Sequence, residues 1–215
     1  MTMEYRNIGN TDLKLSAITF GSWAAGSWMW GKTDRNDAIS AIRAAYDLGV
    51  TSIDTAPVYG QGDAENIVGE ATAGLPRDKV QILTKFGLRW DAPEEKGKFF
   101  FASKDNHGKP IDIVRYAGRD SIMAECEASL KRLKTDYIDF GFMHCLDEAG
   151  DLEDYERNGI LRYLLDLKAQ GVVKHIGLST HAPKLANRVL DMGILDMMMF
   201  SINPMYDYGR GEFSI

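Results

Sequence analysis

Thr51-Ser52-Ile53-Asp54-Thr55-Ala56-Pro57-Val58-Tyr59-Gly60-Gln61-Gly62-Asp63 contains one complete unit of the fold. Residues 52–55 form a short apolar run, as expected of a strand buried on both faces. Pro57 and Gly60 mark a turn that holds Tyr59. Asp63 then starts a helix that buries Ile67, Val68 and Ala71. Strand, turn and helix in that order make the repeating unit of a parallel α/β fold.

The same unit recurs on either side. Strands are expected at residues 17–21, 52–55, 80–84, 137–143, 173–178 and 197–201. Asp34 caps a first helix that carries Ile39, Ile42 and Tyr46 on one face and stops at Gly49. Asp120 or Ser121 caps a third, with Ile122, Cys126, Leu130 and Leu133 inward. A fourth spans 155–170, presents Ile160, Leu164 and Leu167, and stops at Gly171. Pro183 opens a fifth, where its missing N–H does no harm. Residues 5–8 and 13–16 flank the turn Gly9-Asn10-Thr11-Asp12 as a small hairpin. Residues 87–118, with Phe99-Phe100-Phe101 and the turn-rich 105–110, form a long ordered loop or hairpin excursion within one domain of 1–215.

The strand ends are chemically loaded. The second strand leads into Asp54 and Tyr59, the third into Lys85, the fourth into His144. The fifth ends at Ser179-Thr180-His181, the sixth at Ser201 and Asn203. In a parallel barrel these positions share one rim, where barrel active sites sit. Each has a plainer reading: Asp54 capping a turn, Tyr59 on the surface, His144 satisfied in the core. A lysine directly after a buried strand is unusual unless paired or functional. The residue types suit carbonyl reduction. A tyrosine, with a pKa near 10, is a poor acid at neutrality unless a lysine ammonium lowers it. An aspartate would hold that lysine, and a histidine would polarise the substrate oxygen.

Composition excludes several classes. At 215 residues, 45% of them hydrophobic, one sizeable core can be buried. A net charge of −6 without a basic face argues against nucleic acid as the partner. No apolar run approaches a membrane span or a signal-peptide core. The two cysteines, Cys126 facing a helix core and Cys145 after His144, form neither a disulfide framework nor a zinc pattern. Reduced thiols fit the cytoplasm, and no metal site is expected. Gly60-Gln61-Gly62 lacks the third glycine of a Rossmann fingerprint.

The run from Ile53 to Gly60, followed by Glu65 and Gly69-Glu70, resembles the aldo-keto reductase signature. Leu83-Thr84-Lys85 resembles that family's lysine strand. Tyr137-Ile138-Asp139 leading to Met143-His144 resembles its histidine strand, and Ile176-Gly177-Leu178-Ser179 its nicotinamide-contacting strand. The resemblance implies a (β/α)8 TIM barrel that uses NADPH, or less often NADH, to reduce aldehydes and ketones. Tyr59 would be the proton donor, tuned by Lys85 and Asp54, with His144 orienting the carbonyl. Gly21, Ser22, Asp54, Ser179, Thr180 and Ser201 would lie along the cofactor. Trp23, Trp28, Trp30 and Trp90 are candidate walls of the substrate pocket.

The sequence departs from the family pattern in three places. Thr180 stands where asparagine is usual, and Ser201 where glutamine is usual. Residues 144–208 resemble the branch with an iron–sulfur extension more than the commoner reductases. Six strands are expected before Ile215, so the last two βα units of the barrel are expected to be lacking. The competing readings are a non-catalytic binding or regulatory protein resembling potassium-channel β subunits, and a metal-dependent hydrolase using Asp54, His144 and His181. The oligomeric state is open.

Overall fold

The computed structural model describes residues 2–92, 97–116, 118–157 and 159–201. An antiparallel hairpin, β1 (Tyr5–Asn7) and β2 (Lys14–Ser16), comes first. Then come β3 (Thr19–Gly21), α1 (Arg35–Asp47), β4 (Ser52–Asp54), α2 (Asp63–Thr72) and β5 (Gln81–Phe86). An excursion of β6 (Leu88–Arg89), β7 (Lys98–Lys104) and β8 (Pro110–Arg115) interrupts the alternation. It resumes with α3 (Arg119–Leu133), β9 (Ile138–Met143), α4 (Ala149–Arg157), α5 (Ile160–Ala169), β10 (Val173–Thr180), α6 (Pro183–Asp191) and β11 (Met197–Phe200).

Six strands form one sheet in the order β11-β10-β9-β5-β4-β3, and every pair is parallel. The sheet curls as part of a TIM-type barrel, with β3 and β11 at its edges. Its outer face packs on helices in two groups. Ile53 and Ile82 meet Ile42, Ile67 and Val68 of α1 and α2. Phe86, Met143, Ile176 and Leu178 meet Ile122, Leu164 and Val189 of the later helices. The inner face carries Leu83, Phe140 and Phe142, closed by Leu15 of the hairpin with Leu13, Met197 and Met199. Gly177 is required on that face, because a Cβ there would run into the Phe142 ring. The hairpin docks at the strand starts: Ser16 Oγ accepts hydrogen bonds from the Thr51 and Ser52 amides, each at 3.1 Å. No helix among the described residues is long and apolar enough to cross a membrane.

The expected elements shift in instructive ways. Residues 155–170 are not one helix. Gly159, at φ +69°, separates α4 from α5, although apolar spacing from Tyr155 through Ile160 to Leu164 reads continuously. Neither Asp120 nor Ser121 caps α3. Its start follows Gly118 with no side-chain cap, while Ser121 Oγ donates to Glu125 and Asp120 accepts from the Tyr116 hydroxyl. Asp34 does cap α1, accepting from the Asn36 and Asp37 amides at 2.8 and 3.1 Å. The first strand is shorter than expected, since the Ala17 amide bonds to Glu4 of the hairpin side. β5 and β10 run longer, so Lys85, Ser179 and Thr180 belong to strands rather than follow them. Residues 87–118 contain a three-stranded antiparallel sheet, β6-β8-β7.

Glu125 of α3 anchors the root of that excursion. Its carboxyl accepts from the Gly87 amide at 3.0 Å and from Ser121 Oγ at 3.1 Å. Burial pushes it up to about 8, against an ordinary value of 4.5. Below pH 4.5 the folded and unfolded chains both hold the proton. Between 4.5 and 8 only the folded chain does, so its contribution is lost as pH rises through that window. Glu125→Gln is therefore expected to lose less stability than the parent between pH 5 and 8.5, by about 1–3 kcal/mol. Urea midpoints of the two proteins at both pH values read this difference. Parallel behaviour would show that Glu125 is not protonated in the fold.

Candidate active site

Four groups converge at the C-terminal end of the sheet. β4 ends at Asp54, and the next turn brings Tyr59 back over the strand ends. The turn depends on Gly60, at φ +61°, whose missing side chain lets the chain pass against the Gly26 carbonyl. Tyr59 is stacked on Trp23, with ring centres 5.5 Å apart at 14°. Lys85 of β5 is 1% exposed. Its Nζ donates to Asp54 Oδ1 at 2.6 Å and to the Thr55 carbonyl at 2.8 Å. The same Nζ lies 4.7 Å from the centre of the Tyr59 ring. The His144 ring stands edge-on to Tyr59 at 5.9 Å, and its backbone amide bonds to Phe86 O at 2.9 Å.

Burial governs the protonation states. Desolvation raises Tyr59 above its ordinary value, although Lys85 pulls the other way. The expected lowering of this phenol is thus outweighed, and it stays protonated across the neutral range. Lys85 is raised by Asp54 and Tyr59 despite complete burial, so it keeps its charge. His144 is held well below its ordinary value by burial, with Lys85 and His181 adding to the effect, so its imidazole is neutral. The constellation holds one phenol proton, one ammonium, one carboxylate and a neutral imidazole.

A cavity of about 300 Å³ opens over these groups. Tyr59, Lys85 and His144 line it, together with Ser179, Thr180 and Ser201. Ser179 Oγ accepts from the Cys145 amide at 2.9 Å and donates to Met143 O at 3.5 Å. Thr180 Oγ1 is engaged with Asp147 Oδ1 and the Ala182 amide. Gly21 pairs in register with Asp54, and the Ser22 amide donates to Asp54 O at 2.9 Å, but neither residue lines the cavity. Asn203 lies outside the described residues.

Of the four tryptophans, Trp23 and Trp28 line the cavity. Trp30 does not: it is 64% exposed and packs edge-on against Trp23. Trp90 sits in the neighbouring apolar cluster without reaching the cavity. Phe100 and Phe101 of β7 take their place, and Phe101 stacks on Trp28 at 6.1 Å. Trp28 Nε1 donates to Ser103 Oγ and to Lys104 O, which ties the excursion to the first loop. Arg115 of β8 then reaches across to the first turn of α4, 3.0 Å from Asp151. The signal for these walls was the Phe99-Phe100-Phe101 run, and sequence reasoning did not place it at the site. The hydrolase ligand set fails: Asp54 is bound to Lys85 and is not among the described metal-competent groups. A larger cleft of about 580 Å³ lies between the ends of α2 and α3, away from these groups.

Residues 17–205 match the Aldo/keto reductase family. The chain belongs to this family. It is 40% identical over 178 residues to aldo-keto reductase YhdN of Bacillus subtilis, covering 82% of this chain and 47% of that protein. It is 34% identical over 194 residues to the NADH-specific methylglyoxal reductase of Escherichia coli, covering 89% and 56%. Among solved structures it resembles the glycerol dehydrogenase of Gluconobacter oxydans, with TM-score 0.72 and 32% identity over 94% of this chain and 56% of that one. The chain spans about half the length of the curated relatives it matches. These matches support the aldo-keto reductase family as a whole and do not single out its iron–sulfur branch.

Proposed function

We propose that this site reduces small aldehydes and ketones to alcohols with a nicotinamide dinucleotide. The observation that carries this reading is the placing of Tyr59 at one cavity, with the Lys85 Nζ 4.7 Å from its ring centre and the His144 ring edge-on to it at 5.9 Å. When bound, the nicotinamide supplies the hydride. Tyr59 gives its phenol proton to the carbonyl oxygen. The Lys85 ammonium stabilises the phenolate left behind, and Asp54 fixes that ammonium in a buried setting. His144 donates a hydrogen bond to the same oxygen and orients it. Proton donation of this kind contributes roughly a hundred- to ten-thousand-fold.

The residues fit a nicotinamide head. Trp23, which lines the cavity, has its Nε1 buried without a partner among the described residues, and Ser22 Oγ and Thr55 Oγ1 are likewise unpartnered beside Asp54 but outside the cavity lining. Ser179 and Ser201 also line the cavity. Its volume suits a nicotinamide ring with a small carbonyl compound rather than a whole dinucleotide. NADPH is the cofactor expected of the family resemblance. The Escherichia coli relative is specific for NADH, which makes both nucleotides the necessary comparison. The free thiols Cys126 and Cys145 are consistent with a cytoplasmic reductase.

The test is cofactor fluorescence on titration with NADPH and NADH, then cofactor consumption with an aromatic aldehyde and with a small dicarbonyl. Saturable binding with carbonyl-dependent consumption is expected. Binding of either nucleotide with no turnover on any carbonyl would overturn the catalytic reading.

A further inference from the structure

We propose that Cys145, Asp147 and His181 bind a single zinc-class divalent cation at the rim of the pocket. Their ligand atoms all lie within 4.8 Å of one another. His181 Nδ1 stands 3.3 Å from each carboxylate oxygen of Asp147. Tetrahedral zinc, with Zn–S near 2.3 Å and Zn–N or Zn–O near 2.0–2.1 Å, sets ligand atoms about 3.3–3.6 Å apart. The aspartate–histidine pair is already at that spacing. The sulfur has to close by at most about 1.5 Å, a side-chain adjustment.

The ligands are held before any ion arrives. Asp147 accepts from the His181 amide at 2.7 Å and from Thr180 Oγ1 at 3.3 Å, which fixes its carboxylate as an outer hydrogen-bond shell fixes a ligand. Cys145 adopts a left-handed backbone, φ +51°, pinned by its amide bond to Ser179 Oγ. Sulfur, imidazole and carboxylate together favour zinc over magnesium or calcium, which prefer oxygen alone. Coordination displaces the Cys145 thiol proton to solvent, and the resulting thiolate together with the carboxylate balances a divalent charge. Arg115 is the competing cation, but it lies closer to Asp151, at 3.0 Å, than to Asp147, at 3.7 Å. Cys145 and His181 line the cavity, whereas Asp147 does not. The fourth coordination position therefore faces the pocket, open to water or to an oxygen of a bound ligand. The sequence offered no such motif, because Asp147 and His181 are 34 residues apart and meet only through the pairing of β9 with β10.

Cobalt titration of the metal-stripped full chain tests this. One equivalent is expected to bind with a thiolate-to-cobalt charge-transfer band and the visible bands of tetrahedral cobalt, and zinc should displace it. Cys145→Ser should remove the charge-transfer band. Cys145→Ser and His181→Ala should each weaken binding by about a hundredfold or more. Cys126→Ser, which alters the other buried thiol, should leave band and affinity unchanged. A band that survives Cys145→Ser, or that depends on Cys126, would overturn the site, as would binding equally tight in the His181→Ala protein.

Discussion

Replacing Tyr59 with phenylalanine is expected to cut carbonyl reduction by about two to four orders of magnitude, with nucleotide affinity and fold unchanged. The ring's stacking on Trp23 and its edge contact with His144 are both made by carbon atoms that phenylalanine keeps. Only the phenol proton disappears. Burial keeps that proton on the oxygen in the resting site, and Lys85 makes its departure possible. Single-turnover rates with saturating nucleotide separate this effect from binding. Unchanged turnover in the variant would place the proton donor elsewhere. Equal losses in binding and rate would assign Tyr59 a packing role.

The second large effect concerns the Asp54–Lys85 pair. Asp54→Asn is expected to destabilise the fold by about 3–5 kcal/mol, because it leaves a fully buried ammonium without its counter-charge. Lys85→Met should cost less, since the Asp54 side chain is 18% exposed and retains some access to water. Combining the two should recover much of the loss, because a buried ion pair replaced as a unit is often close to neutral. Activity should not return with it. Urea unfolding of the three variants beside initial rates reads both quantities. Full stability in Asp54→Asn alone would mean that the Thr55 carbonyl suffices to hold the lysine.

The strand–helix alternation and the strand-end positions of Asp54, Lys85 and His144 were legible because parallel strands impose one direction on the chain. Gly49 and Asp34 announced the ends of α1 by local chemistry alone. The break at Gly159 was hidden by apolar spacing that continues through it, although Asn158-Gly159 is itself a turn signal. The lowering effect of Lys85 on Tyr59 was legible, but the opposing effect of burial was not. A nearby lysine can be read from sequence, whereas the degree of burial that outweighs it is a property of packing. The pocket walls were half right for a related reason: Trp23 and Trp28 come just after the strand that positions them, but Trp30 points away, and Phe100 and Phe101 arrive through long-range pairing of the excursion with Trp28.

That excursion has an evolutionary consequence. The polar constellation is fixed by β4, β5, β9 and one short turn, while much of the apolar wall is borrowed from β7, anchored through Trp28 and Arg115. The two parts occupy separate stretches of the gene. Insertions, deletions or exchanges in residues 98–115 can reshape what is admitted without disturbing how it reacts. On the proposed reading, selection can alter which carbonyl compounds enter the pocket while leaving the polar constellation in place.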